Sequence, residues 1–491
     1  MNDALSAVRT PTDVTDPACL SLAEAAALIR RRTLSPTELI SAVLARIARL
    51  DHSLHSHITL LPERAIAAAR VAEAEIAADR WRGPLHGIPY GLKDNYDTVG
   101  ILTTAGSRAL HGRVPGTDAT LHAKLQAAGG ILVGKHNTWE YGTGTGELQD
   151  DLFVPPPRNA WNPEFYTAGS SNGTGVAVAA GFCMLGMGSD TGGSVRLPAA
   201  VHGLHGLKPT YGRLSRAGIL PNAYTLDVAG PLTRRAVDAA LAMDVLAGHD
   251  PTDPTSVDLA VPDHTKGIED GVKGLTIGVL RRFHARDVAA DPEVVAGFEA
   301  AVTALRDAGA KINEIDVPYS VLQYRDCMRP ISSAEALSIH GPDVRERFPL
   351  MGKALQSKFL GAMAVSGAEY VTAQRWRRQM AEATDAAIRG CDAVLMPCVL
   401  TRVPRWEEGE TRFQEFMMLS ATAVLNVSGH PAASVCTGFD SAGLPLSAQI
   451  VAPYFAEPML LRVAHTLELA TGHWRRLPAG AAPADFRRSQ I

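Results

Sequence analysis

Residues 166–212 read YTAGSSNGTGVAVAAGFCMLGMGSDTGGSVRLPAAVHGLHGLKPTYG. Two clusters of small residues bracket an apolar run. The first is Gly169-Ser170-Ser171-Asn172-Gly173-Thr174-Gly175, and the second is Ser189-Asp190-Thr191-Gly192-Gly193-Ser194. Between them, Val176 to Met187 is apolar or Gly throughout, which predicts a helix buried on all sides. A helix entered from one Ser-rich turn and left through another brings two hydroxyl clusters to a common centre. Glycines on both sides let the backbone approach a substrate closely. Consecutive N–H groups around Gly192-Gly193-Ser194 can converge on one oxygen, as an oxyanion hole requires.

Three ordered blocks carry a resemblance. Upstream lies Leu85-His86-Gly87-Ile88-Pro89-Tyr90-Gly91-Leu92-Lys93-Asp94-Asn95. The two Ser clusters follow, with Ser170 and Ser194 separated by 24 positions, and then G-L-K-P-T-x-G-R-x-S from Gly206. The pattern resembles the amidase-signature family of Ser–Ser–Lys amide hydrolases, specifically over 85–215 and weakly over 310–420. The resemblance implies Ser194 as nucleophile, Ser170 as bridging hydroxyl after a cis Gly169–Ser170 bond, and Lys93 as base. It implies an oxyanion hole from the N–H groups of Thr191, Gly192, Gly193 and Ser194, with Ser171, Asp190 and Arg196 in support. No cofactor and no metal are implied. Lysine normally holds its proton to a pH of about 10.4, so this role requires burial that disfavours the charged form. In a strand, Asp94 points to the face opposite Lys93.

The remaining composition restricts the function classes. A net charge of −4 on 491 residues gives no reason to expect nucleic acid as a partner. No apolar run reaches the roughly 18 residues of a membrane helix, and the opening MNDALSAVRTPTD has no signal-like core. The six cysteines at 19, 183, 327, 391, 398 and 436 are scattered, which predicts reduced thiols in a cytoplasmic protein. The expected partner is a small-molecule amide. The oligomeric state stays open, with a homodimer among the arrangements allowed.

Residues 1–20 read as a loose tail, and 21–491 as one amidase-signature domain. Ser21-x-x-Glu24 and Ser35-Pro36-Thr37-Glu38 are helix-capping boxes. Strand–helix–strand order at 274–280, 292–307 and 310–315 predicts an α/β fold: a central mixed, largely parallel sheet covered by helices on both faces. Residues 318–390 lack strand patterns and read as a helical cap, with Tyr319, Tyr324 and Trp376 as candidate pocket aromatics.

Competing motifs are weaker. Gly129-x-x-x-x-Gly134-Lys135 lacks the Ser/Thr of a phosphate loop, and its interior Ile-Leu-Val reads as a strand. His202-x-x-His205 has no third metal ligand nearby. Asn172 departs from the family's glycine in the first cluster. The tract 208–256 is similar to the A subunit of tRNA-dependent amidotransferases, which release ammonia from glutamine. The acidic residue expected seven positions before Asn426 is Leu419, among Met417, Met418, Ala421 and Ala423. That wall selects an apolar acyl or aryl group. The expected function is therefore hydrolysis of small apolar or aryl amides through a serine acyl-enzyme. The alternatives are carbamate or hydrazide hydrolysis, and the glutaminase component of a tRNA-dependent amidotransferase.

Overall fold

The strand signals along the chain resolve into one sheet. The computed structural model describes residues 16–480. Its strands are β1 (His57–Leu60), β2 (Pro89–Lys93), β3 (Ile131–His136), β4 (Leu185–Asp190), β5 (His205–Lys208), β6 (Val228–Thr233), β7 (Thr276–Leu280), β8 (Lys311–Ile315), β9 (Ala393–Pro397), β10 (Ala432–Phe439) and β11 (Pro445–Val451). They form an 11-stranded mixed sheet in the order β1-β3-β2-β4-β6-β5-β10-β11-β9-β7-β8. Parallel pairing is confined to two blocks, β3-β2-β4 and β9-β7-β8, and the strands between them pair antiparallel. Helices cover both faces, and the whole is one large α/β domain.

Central strands are buried on both sides, so they read as apolar runs rather than alternations. All five residues of β2 are buried. The same property explains one correction. The run 176–187 is not a single helix: the helix is Asn172–Ala179, the chain turns at Gly181 (φ +73°), and it re-enters as β4. A fully buried helix and a fully buried strand have the same hydropathy, so periodicity does not separate them.

The glycines of β4 set the spacing at the centre. A Cβ on Gly186 would lie 2.4 Å from Thr174 Cγ2, and one on Gly188 would lie 2.8 Å from Ser171 Oγ. Without side chains there, the Asn172–Ala179 helix lies directly on β4, which brings Ser171 beside Ser189.

Both capping boxes form, Ser21 with Glu24 and Ser35 with Glu38. Residues 16–20 are not a loose tail. Ala18 and Leu20 are buried, and Pro17–Cys19 is a short 3-10 turn. Residues 1–15 lie outside the described residues. Over 318–390 the chain forms helices Val321–Arg347, Lys353–Ala362 and Gly367–Ile388. Cys183, Cys327, Cys391, Cys398 and Cys436 are free thiols. Among the described residues, no helix is long and apolar enough to cross a membrane, and no cluster of side chains could hold a metal ion.

Candidate active site

Lys93 ends β2 and is fully buried. Its Nζ donates to Ser170 Oγ at 2.8 Å and to Ser189 Oγ at 2.9 Å. Burial pushes its pKa down to about 7, against the opposing pull of Asp227 and Asp190. Asp94 faces away. Its Oδ2 accepts from Thr104 N at 2.8 Å, and Lys135 Nζ lies 3.3 Å from Oδ1.

The first Ser cluster sits opposite this lysine. The Gly169–Ser170 peptide is cis. The Ser170 carbonyl accepts from Trp139 N and Thr138 Oγ1, each at 3.1 Å. Ser171 N donates to the Ser194 carbonyl at 3.2 Å, which joins the two clusters. Gly142 closes the site on a third side, since a Cβ there would lie 3.5 Å from Lys93 Nζ and 3.7 Å from Ser170 Oγ.

The second cluster is a turn wound around a carboxylate. Buried Asp190 accepts from Gly193 N at 2.8 Å, Val195 N at 3.1 Å and Asn426 Nδ2 at 2.9 Å. Arg196 adds Nε at 3.1 Å and Nη2 at 3.0 Å. Although burial alone would raise it, this ring of donors, led by the guanidinium, holds the Asp190 carboxyl well below the usual range. Arg196 reaches on to Thr422 O at 2.9 Å, Gln449 Oε1 at 3.0 Å and Asn426 Oδ1 at 2.6 Å. Both residues brace the turn. One expectation fails: the Gly193 N–H is occupied by Asp190, and Gly193 does not line the cavity. Thr191, Gly192 and Ser194 do.

That cavity has a volume of about 750 Å³. Its far wall corrects the apolar expectation. Met417 and Met418 line it, but so do Arg325, Asp326, Arg329 and Lys358. Lys358 Nζ donates to Thr143 Oγ1 and, at 2.6 Å, to Asn222 Oδ1. Burial lowers its pKa to about 8. Leu419 packs against an apolar cluster instead, and Ala421 and Ala423 are core residues. Nor do the expected aromatics line the cavity. Tyr324 is buried against Thr384, Tyr319 packs beside it, and Trp376 is 50% exposed. His202 and His205 are buried, which pushes their pKa values down to about 4 and about 3, so both are neutral.

Sequence reasoning misses several contributors. Ser189 stands inside the second cluster and Asn95 ends the upstream block, but nothing in either position marks a role. Thr422, Gln449 and Lys358 arrive from more than 160 residues away with no motif around them, and Asn426, a landmark in the sequence, carries no sign there of its contact with Arg196.

Known proteins resemble this chain in sequence and in overall fold. The Amidase family model matches residues 38–461. The A subunit of the glutamyl-tRNA(Gln) amidotransferase of Geobacter metallireducens is 36% identical over 92% of this chain and 97% of its own length. Among solved structures, 6-aminohexanoate cyclic dimer hydrolase superposes with a TM-score of 0.85 at 28% identity, covering 95% of this chain and 100% of that one. A bacterial aryl acylamidase superposes with a TM-score of 0.83 at 27% identity, covering 94% and 99%. With its family model matched over most of its length, the chain belongs to the amidase family, the amidase-signature enzymes that act on amide C–N bonds.

Proposed function

We propose that this protein hydrolyses small polar amides through an acyl-enzyme on Ser194. The observation that carries the reading is a buried Lys93 amine, its pKa pushed down to about 7 by that burial, 2.8 Å from the Ser170 hydroxyl. Lys93 takes the Ser170 proton as Ser170 takes that of Ser194. The Ser194 Oγ bonds to the amide carbon, and the carbonyl oxygen becomes an oxyanion. Donors for that oxygen are the N–H groups of Thr191, Gly192 and Ser194, each worth about 3 kcal/mol at the transition state. Collapse breaks the C–N bond, and the proton held by Lys93 returns through Ser170 to the leaving amine. Water then adds to the ester by the same relay and releases the acid.

The mixed lining of the cavity favours a substrate with charged or hydrogen-bonding groups. Lys358 and Arg329 suit a carboxylate, and Asp326 suits an ammonium. A second reading is therefore glutamine hydrolysis within an amidotransferase assembly, and 36% identity over 97% of the Geobacter chain favours it. Leu419, packed where that reading calls for an acidic residue, weighs against it.

The experiment is ammonia release from glutamine beside a panel of neutral, anionic and aryl amides. Turnover of any of them, abolished by Ser194→Ala, supports hydrolysis. Glutamine turnover that requires added partner proteins selects the second reading. Full activity of Ser194→Ala would overturn both.

A further inference from the structure

We propose that Ser189, held by Asn95, is a positioning residue that aims the Lys93 amine at Ser170. The inference rests on the reading above, in which Lys93 is the base.

Lys93 Nζ has two hydroxyl neighbours at nearly equal distance, Ser170 at 2.8 Å and Ser189 at 2.9 Å. They open on different spaces. Ser170 Oγ abuts Gly142, which lines the cavity shared with Ser194. Ser189 instead lines a separate cavity of about 320 Å³ with Leu220, Tyr224 and Val228, and no residue is common to the two walls. Ser170 is therefore placed to pass a proton toward Ser194, and Ser189 is not.

Ser189 is itself anchored. Its Oγ accepts from Asn95 Nδ2 at 3.1 Å, and the Leu220 carbonyl accepts from the same Nδ2 at 3.4 Å. A carbonyl only accepts, so Leu220 fixes which end of the amide faces Ser189. Leu220 N donates back to the Asn95 carbonyl at 2.8 Å. The chain Leu220–Asn95–Ser189–Lys93 thus leads from a backbone clamp to the amine.

This arrangement has a signature that loosening of the site would not produce. The charged groups facing Lys93 are Asp190 and Asp227. Both remain when Ser189 is changed. Ser189 is one of the two side-chain acceptors of the ammonium, so removing it disfavours the charged form. Lys93 then becomes neutral at lower pH, while its amine is no longer aimed. Loosening that admitted water would move the titration the other way, toward an ordinary lysine.

The test is the pH dependence of Ser194 acylation by a neutral fluorophosphonate, using the full chain. For Ser189→Ala we expect a maximal rate at least about tenfold lower, an unchanged half-saturating concentration, and an acidic limb displaced downward by about one pH unit. Ser189→Thr restores both. Asn95→Asp places a carboxylate near the amine and moves the limb upward. An upward or absent shift in Ser189→Ala overturns the inference. If that variant does not fold, an Asn95→Asp limb that stays in place or a Ser189→Thr limb that moves overturns it. Failure of the wild type to label at Ser194 would instead sink the proposed function, so the two failures are distinguishable.

Discussion

Replacing Asp190 with Asn keeps the shape of the turn centre and removes its charge. Six N–H groups converge on this carboxylate, three of them from the backbone of the turn itself. The substitution converts one acceptor oxygen into a donor facing other donors. It also strands Arg196, which is completely buried, with only the neutral acceptors Thr422 O, Gln449 Oε1 and Asn426 Oδ1. Breaking a buried pair by removing one partner costs about 3–5 kcal/mol. The Thr191–Ser194 backbone then loses its brace, and a misplaced oxyanion donor costs about 10²–10³ in rate. The assay is a double-mutant cycle: urea unfolding of Asp190→Asn, Arg196→Met and the double variant, with Ser194 acylation rates alongside. We expect each single change to cost several kcal/mol, and the double variant to cost at least about 2 kcal/mol less than their sum. It should recover stability without recovering acylation, because the Asn amide has a single oxygen for the Gly193 and Val195 N–H groups, which take one carboxylate oxygen each in the wild type. Additive costs, or a wild-type acylation rate in Asp190→Asn, would refute the reasoning.

Glu140 accepts from Ser107 Oγ at 2.5 Å and from Gly352 N at 2.8 Å, and burial raises its pKa to about 7. Its protonated form is favoured by folding, so that contribution is complete below pH 4.5 and lost as pH rises through 7. Glu140→Gln should therefore flatten the pH dependence of stability and gain about 1–3 kcal/mol relative to wild type at pH of about 8.5, read by urea unfolding. Gly193→Ala would place a Cβ 2.3 Å from Thr422 Oγ1 at a φ of +130°; it should abolish Ser194 acylation while circular dichroism shows the fold retained. Lys358→Met should raise KM at least about tenfold for amides bearing a carboxylate and leave neutral amides nearly unchanged, as initial rates across the panel will show.

The legible parts of this protein are those where local chemistry dictates local form. Ser21 and Ser35 cap helices as their spacing requires, and helix Pro292–Asp307 falls where its pattern places it. Lys93, Ser170 and Ser194 stand out because three ordered blocks hold them, and the fold brings those blocks together. The helix–strand division of 172–190 is hidden because total burial erases periodicity. Strands β1, β5 and β6 escape a reading of the sequence because each is short or interrupted by Gly and Pro, as at Gly230-Pro231. The polarity of the cavity wall is not legible from Met417 to Ala423. Which of those side chains face the cavity depends on packing against the cap, and Arg325 and Lys358 enter from helices with no local signal of function. Asn426 and Gln449 brace Arg196 across more than 200 residues, a relation that only the assembled sheet creates.

The central claim is that a neutral Lys93 activates Ser194 through Ser170. The most direct measurement is the pH dependence of acylation by a neutral fluorophosphonate, with the modified peptide mapped by mass spectrometry, in wild type and Lys93→Met. We predict modification of Ser194, a rate rising with a midpoint near pH 7, and a loss of at least about 10³-fold in the variant. A label on any other residue, or a Lys93→Met protein that reacts as fast as wild type, would contradict the account.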